Sequence, residues 1–439
     1  MTREDIKSLG LQPLDLKLRA EVKRHLWFSR FKGSVKSGRD YNNDPTLHAS
    51  GSPIEVNNKI RSIGYGDRLL IPMEKDLAGA PTLGDAVLMG REEESARAYA
   101  KVGYNQVRHA IPVQLGSMDK ARERAFRAAE DNLQKLAWWQ AQYENYNILT
   151  SIYEGASENL YTTTTNPDYG QGLGIPRRYH PNFYRYSTLG FNKIGAAGKF
   201  PTALEVYDAA VGTNDGGVDT TKSLDANCVA MARLTAMRKG IKPLVMENGF
   251  SFWPWLITPE QAISLVQTNE FKAMAQTQVW KEVKSHPWVN GAIGYFGGFV
   301  FFEDVISVRG FSTSDGASTG LNVLGTTELI ADSDIKQNPR FLPQEGHLTH
   351  LVGTTKANHV SIIFGESFIG EALHENLGFA TESQDYNNWQ GLGAYTKYGY
   401  ERLDFVPKAH VQYLEGTEAG IANITNVYNR SSMLIMTHE

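Results

Sequence analysis

Apolar residues recur every three or four positions between residues 118 and 154, through Ala121, Ala125, Ala129, Leu133, Leu136, Trp139, Tyr143 and Tyr146, which is the stripe of an amphipathic α-helix. Ser117 stands where an N-cap belongs, Asp119 follows in the first turn, and Gly155 suits the left-handed position past the end. The pattern predicts one helix over 118–154. At 1.5 Å per residue it would be on the order of 50 Å long, which reads as a structural spine. Upstream the period drops to two. Ile63, Tyr65, Leu69 and Ile71 alternate within 54–73. Ala98, Ala100, Val102 and Tyr104 then keep one phase, and Val107, His109, Ile111 and Val113 the other. Two long strands forming a protruding hairpin are expected, with a bend or bulge near Asn105-Gln106.

Periodicity is weak over 1–53, where Trp27-Phe28-Ser29-Arg30-Phe31 is followed by a polar, turn-rich run over 34–53. This reads as an extended arm with one anchoring patch. Residues 155–222, rich in Gly, Tyr, Thr and Asn, read as a long loop or insertion. A helix is expected over 225–239 and a buried strand over 243–247. Another helix is expected over 259–284, with Pro259 tolerated in its first turn. Strand character follows at 298–307, 360–364 and 397–405. Many of the 41 glycines cluster at junctions such as Gly64-Tyr65-Gly66 and Gly391-Leu392-Gly393, where positive φ is needed.

Composition narrows the classes. Of 439 residues, 41% are hydrophobic and 21% charged, a globular balance that excludes a fibrous or disordered chain. The most apolar window, 288–302, contains Asn290 and four glycines and is shorter than the roughly 20 residues of a membrane span. Met1-Thr2-Arg3-Glu4-Asp5 leads into no apolar signal segment, so folding in a cytoplasm is expected. Cys228 is the only cysteine, which excludes an intramolecular disulfide and thiolate-rich metal sites. The net charge of -4 is unevenly divided. Residues 1–40 hold ten Lys/Arg against five Asp/Glu, a net +5, and the remainder carries -9. The arm is basic and the body acidic.

Catalytic signatures are sparse. His347 with His350, and Glu371 with His374 and Glu375, are the dense groupings of metal-capable side chains. Neither forms H-E-x-x-H, so surface or interface roles are favoured for both. No P-loop, nucleophile elbow or dinucleotide fingerprint occurs, and Gly172-Leu173-Gly174 lacks the third glycine and the flanking strand. Glu303-Asp304 could serve as acid and base, but chance adjacency among 48 carboxylates explains it better. Lys17, Arg19, Lys23, Arg24, Arg30, Lys32, Lys36 and Arg39 lie around Trp27, Phe28 and Phe31 and could meet phosphates. Pairing with the acidic body of the same or a neighbouring chain is favoured, because nucleic-acid modules usually carry a strong basic excess. No catalytic, cofactor-binding or metal-ligating residue is assigned. The sequence reads as a non-enzyme whose surfaces are its function.

Several stretches in order carry a resemblance: Gly66-Asp67, Leu83-Gly84-Asp85, Gly90-Arg91-Glu92-Glu93, Arg108-His109-Ala110, Gly116-Ser117-Met118 and Leu136-Ala137-Trp138-Trp139. Downstream come Thr258-Pro259-Glu260-Gln261, the run from His286 to Gly294, Val300-Phe301-Phe302-Glu303, Ile363-Phe364-Gly365, Asp385-Tyr386 and 399–406. Together these span roughly 55–406. The chain resembles the major capsid proteins of tailed bacteriophages, in the family typified by the phages that carry a virion RNA polymerase. Gly155 to Lys222 and Asn248 to Trp255 depart from that pattern in length or aromatic content.

The resemblance implies an α+β fold, the Hong Kong 97 (HK97-like) capsid fold. The implied layout is an N-terminal arm over 1–53, an extended loop (β-hairpin) over 54–115, and a peripheral domain over 116–289. That domain would contain the spine helix, 118–154, and the insertion 155–222. An axial domain over 290–395 and a return to the peripheral domain with a C-terminal tail over 396–439 complete it. Implied partners are copies of the chain in pentamers and hexamers, with scaffolding, portal and decoration proteins. The icosahedral head would be assembled in the host cytoplasm and enclose double-stranded DNA with weak, non-specific contact and no membrane. A tail or receptor-binding structural protein and, further off, a metal-dependent hydrolase are the alternatives.

Overall fold

The computed structural model describes residues 11–32, 52–57, 68–74, 81–84, 89, 97–114, 120–160, 178–202, 205, 222–246, 249–275, 289, 291–303, 311–314, 318–322, 329–330, 349–352, 356–384, 389–415, 420–421 and 423–438. The predicted long helix is α2, Lys120–Glu154. Before it comes a helix that the reading of 1–53 as an extended arm did not anticipate: α1, Leu11–His25, followed by a 3-10 turn, Trp27–Phe31. Leu18, Val22 and Leu26 repeat every four residues and are buried against Leu133, Leu136, Ala137 and Ala141 of α2. The segment is helical because that stripe finds an apolar partner, while Lys17, Lys23, Arg24 and His25 are left exposed.

Two sheets enclose α2. Sheet A has the order β1 (Ile54–Asn57), β16 (Ile369–Gln384), β17 (Trp389–Arg402), β4 (Asn105–Gln114). β1 runs parallel to β16 and the other pairs are antiparallel. Sheet B is mixed. Its centre is β15 (Lys356–Phe364), paired antiparallel to the last strand, β19 (Ser432–His438), which in turn runs parallel to β5 (Phe183–Ser187). β6 (Gly190–Lys193) borders β5, while β8 (Ser251–Ile257), β10 (Phe299–Glu303) and β9 (Gly294–Phe296) extend the other side. β7 (Leu244–Val245) pairs with β8. β11 (Phe311–Ser314), β12 (Ser318–Asn322), β13 (Leu329–Ile330) and β14 (Thr349–Val352) continue from β15. A third sheet joins β2 (Leu69–Glu74), β3 (Arg97–Val102) and β18 (Val406–Pro407).

Strand alternation divides sheet B between two cores. Trp253, Trp255, Phe299, Phe301, Ile363 and Ile435 face one side, covered by α3 (Ala226–Lys239), α4 (Pro259–Gln267) and α5 (Asn269–Ala275). Phe252, Leu256, Val300, Phe302, Ile362 and Leu434 face the other, against Ile148, Leu149 and Ile152 of α2 and against Phe28 and Phe31 of the arm. Both faces of these strands are buried, so their runs are apolar throughout rather than alternating.

Several expectations are corrected. The hairpin is confined to β2 and β3, paired from Leu69↔Val102 to Glu74↔Arg97. β1 and β4 belong to sheet A instead. The phase change near Asn105-Gln106 is therefore a break between two strands of different sheets, not a bulge. Gly399 explains the break's position: a Cβ there would meet the Gly103 carbonyl oxygen at 2.2 Å. The segment 155–222, expected to be loop, contributes β5 and β6, and every residue of β5 is buried. The helix expected over 259–284 is interrupted at Thr268, which closes α4 by bonding the Leu265 carbonyl, 2.6 Å, before α5 begins. The strand expected over 397–405 is the end of the longer β17, and the last strand is β19, central in sheet B. β17 also runs unbroken through the expected division at 395/396, and β9 and β10, beyond the division at 289/290, pair with β8 before it.

Candidate functional site

The arm, the spine helix and sheet A converge on one buried polar cluster. Lys32 closes the 3-10 turn and makes a parallel bridge with Ile54, which brings its side chain under the helix. Its ammonium bonds the Glu144 carboxylate of α2, Glu371 Oε1 of β16 at 3.2 Å and the Tyr400 hydroxyl of β17 at 2.6 Å, and lies 3.1 Å from Glu371 Oε2 as an ion pair. Tyr400 in turn donates to Glu144 at 2.5 Å. Burial disfavours the charge on Lys32, but Glu144 and Glu371 outweigh that and hold its pKa above the ordinary lysine value. Burial also pushes the Glu371 carboxyl up, with Lys32 pulling it down and Glu144 pushing it up again. The Tyr400 phenol is raised well above its ordinary value by burial and then by Glu144. One ammonium thus serves two carboxylates, and burial makes the charge on Glu371 costly.

A second cluster clamps the C-terminus of α2. Gly155 takes the left-handed conformation, φ 92°, and beyond it residues 155–157 pair with β17 where β4 has ended, the Arg402 N–H donating to the Gly155 carbonyl at 2.9 Å and the Ser157 N–H to the Tyr400 carbonyl at 2.8 Å. Arg402 grips Asp404 through Nε and Nη2 at 2.7–2.9 Å. Its other donors cap the last helical carbonyls, Ile152 at 2.6 Å and Tyr153 at 3.3 Å, and reach Arg178 and Tyr179 carbonyls at 3.0 and 3.3 Å. A cation at a helix C-terminus that also bonds the free carbonyls meets both needs of that end. Glu401, on the opposite face of the strand, pairs with Arg178 at 3.3 Å and accepts the Gly103 N–H at 2.9 Å. Burial raises its carboxyl despite Arg178.

From Asp404 the network enters sheet B. Asn429 donates to Asp404 at 3.0 Å and accepts from the Ser432 hydroxyl at 3.2 Å. Ser432 lies 2.9 Å from His180 Nε2, while His180 Nδ1 accepts the Asn182 N–H at 3.0 Å. That acceptor role puts the proton on Nε2, so His180 donates to Ser432. Burial, then Arg402, holds its pKa well below the ordinary value, and the ring is neutral. This Ser–His contact lacks a catalytic arrangement: both residues are fully buried, and the imidazole has no carboxylate behind it to orient a base. It ties the start of β19 to the segment that leads into β5, its neighbour in sheet B.

The residues singled out in the sequence are dispersed. Glu371 enters the Lys32 cluster, His374 meets the Tyr104 ring edge-on at 4.8 Å, and Glu375 pairs with Lys397 at 2.8 Å. His350 lies in β14, where side chains are outside the described residues, as are His347, Asp304, Lys36, Arg39 and the Gly172-Leu173-Gly174 run. Glu303 ends β10 at the surface. Among the described residues, no three His, Cys, Asp or Glu side chains gather as metal ligands. Of the basic arm, Arg19 donates to the Leu377 carbonyl at 2.7 Å, Arg30 lies 5.0 Å over the Trp27 ring, and Lys32 enters the cluster above. For these three the partner is the same chain. Arg178, Glu401, Arg402 and Asp404 were not singled out. Their signal was present in Tyr400-Glu401-Arg402-Leu403-Asp404-Phe405, three charges inside an apolar strand, a pattern that requires buried partners.

Comparison with known proteins bears on this arrangement. The family model described as phage capsid protein matches residues 35–429. No curated protein sequence matches the chain. Among solved structures, the chain is similar to the capsid of Ralstonia phage GP4, at 15% identity over 94% of this chain and 90% of that one, TM-score 0.51. The acid-stable capsid of Helicobacter pylori bacteriophage KHP30 is similar at 11% identity over 94% and 91%, TM-score 0.53. The head of Helicobacter pylori bacteriophage KHP40 is similar at 11% over 93% and 89%, TM-score 0.51. At these identities the structures speak for the fold: an α+β arrangement of arm, hairpin, spine helix and two sheets. With the family match covering most of its length, the chain belongs to the phage capsid proteins and has the HK97-like fold.

Proposed function

We propose that this chain is the major subunit of an icosahedral head, assembled in the host cytoplasm as pentamers and hexamers around double-stranded DNA, and that it performs no catalysis. One observation carries the reading: in the connection between β2 and β3, Leu83 and Met89 are bare in the single chain, 78% and 86% exposed, while Leu69, Ile71 and Met73 of β2 pack inward. Such positions are buried by other copies, and symmetry closes the repeated contacts into a shell. In this reading α2 with sheet A forms the peripheral domain and sheet B with α3, α4 and α5 the axial domain, with the arm and hairpin reaching neighbouring subunits. The division follows the two sheets and replaces boundaries drawn along the sequence.

The two charge clusters suit that role. They tie arm, spine helix and both sheets into one rigid subunit, and a fixed subunit angle is what sets the curvature of a closed shell. The order of motifs supports the branch typified by phages carrying a virion RNA polymerase. Scaffolding, portal and decoration proteins are the further partners such a head would use. The acidic body suits an inner wall that holds DNA weakly. Expression of the chain alone, followed by negative-stain microscopy, tests the proposal. Closed particles several hundred ångströms across are expected, whereas fibres, or only soluble subunits under every assembly condition, would refute it.

A further inference from the structure

α3 and α4 are each apolar on two opposite faces. α3 buries Cys228, Val229, Ala232 and Ala236 against sheet B. Turned about 150° away, Ala230, Leu234 and Met237 form a stripe at i, i+4 and i+7 that lies in solvent, with Leu234 48% and Met237 58% exposed. α4 buries Gln261, Ala262 and Leu265 and leaves Ile263 59% and Val266 40% exposed. A helix apolar on both faces is normally buried on both. Four of the large exposed apolar side chains among the described residues therefore sit on the helical layer over one face of sheet B.

Charge identifies what covers them. Between Ala226 and Lys242 there is no carboxylate, and Arg233, Arg238, Lys239 and Lys242 are all exposed. Along α4 and α5 the charges are Glu260, Glu270 and Lys272. Packing α3 against a second α3 would set its three cations against three more. Packing it against α4 and α5, which carry two carboxylates and one cation, avoids that repulsion, and charge differences of this kind select register and partner.

We infer that the outer stripe of α3 in one copy of this chain packs on the outer face of α4 in a second copy. The contact is heterologous, a type that closes into rings when repeated. The inference rests on the shell-forming role proposed above and adds which helices meet.

The test uses two kinds of full-length variant. L234E/M237E and I263E/V266E change only outward side chains, so circular dichroism and melting of the subunit are expected to stay as in wild type, while the yield of closed particles falls at least tenfold. Independently, single-cysteine variants L234C and I263C are mixed, assembled and oxidised. The native Cys228 is buried and supplies a silent background. Disulfide-linked dimers in the mixture, several-fold above either variant alone, are expected. Glutamate variants that close particles at wild-type yield, or dimers that form in L234C alone as readily as in the mixture, would overturn the inference. Wild type that forms no shells although the mixture crosslinks would overturn the shell reading and leave this interface standing.

Discussion

Replacing Lys32 with methionine keeps most of the stem and removes the charge that joins arm, helix and sheet. It leaves Glu144 and Glu371, whose side chains are only 12% and 4% exposed, without their ammonium. Deleting one partner of a buried ion pair costs about 3–5 kcal/mol, because the remaining charge stays desolvated. With an unfolding entropy of roughly 2.1 cal/mol/K per residue, that corresponds to about 3–5 °C in melting temperature for a chain of this length. The loss has a pH signature. In wild type the Glu371 carboxyl is raised, so its contribution is complete below the ordinary glutamate value and fades as pH rises through the raised one. Lys32 is also raised, and its contribution is complete below the ordinary lysine value and fades only in strong alkali. Without Lys32 the Glu371 carboxyl rises further, and an unpaired Glu371 must ionise at neutral pH or stay protonated at a cost. K32M is therefore expected to be most destabilised near pH 8 and to approach wild type near pH 5. K32M/E371Q should recover part of the loss at pH 8. Calorimetry of unassembled subunits at the two pH values measures this. A penalty below about 1 kcal/mol, or one of equal size at both pH values, would refute the view that the cluster is an electrostatic joint.

Two further outcomes follow from the geometry. Gly399→Ala drives a Cβ to 2.2 Å from the Gly103 carbonyl oxygen, whereas at Gly391 in the same strand the nearest atom is 3.6 Å away; G399A should lower soluble yield and melting temperature sharply and G391A should not, as thermal melts of the two purified variants will read. Lys193, beside Lys239 in a half-buried site, is pushed down to about 8 by burial and then by that neighbour. Its charge is unfavourable in the fold, and the penalty is relieved as pH rises through about 8, so K193Q should stabilise the subunit at pH 7 and lose that advantage by pH 10, as melts across the range will show.

Two helices were legible: α2 emerged with its stripe, and α3 over nearly the expected range, its start fixed in the structure by the Asp225 side chain accepting the Cys228 N–H at 2.7 Å. Strands buried on both faces were less legible. Met433-Leu434-Ile435-Met436 is a short apolar run without period, and nothing local distinguishes a central strand from a helix fragment or a tail. α1 was missed because beyond Leu16 its stripe is one residue wide per turn and most positions between are charged. The grouping of Glu371, His374 and Glu375 is separated by the fold, Glu371 joining Lys32, His374 the Tyr104 ring and Glu375 Lys397.

Local pattern by itself determined the spine helix, the exclusion of disulfides and the separation of a basic arm from an acidic body, because period, cysteine count and charge are properties of the chain alone, whereas the α+β class came with the resemblance. The ordered motifs added the resemblance to phage capsid proteins. Only the tertiary structure decided that Lys32 is held inside its own subunit by residues 112 and 339 positions away, that β17 brings Glu401 to Arg178 and Arg402 to the end of α2, and that the last strand pairs with both β15 and β5 inside sheet B. Such pairings join segments hundreds of residues apart. Each partner looks ordinary in its own neighbourhood, and the energy of a buried charge depends on which groups the fold brings within about 3 Å of it.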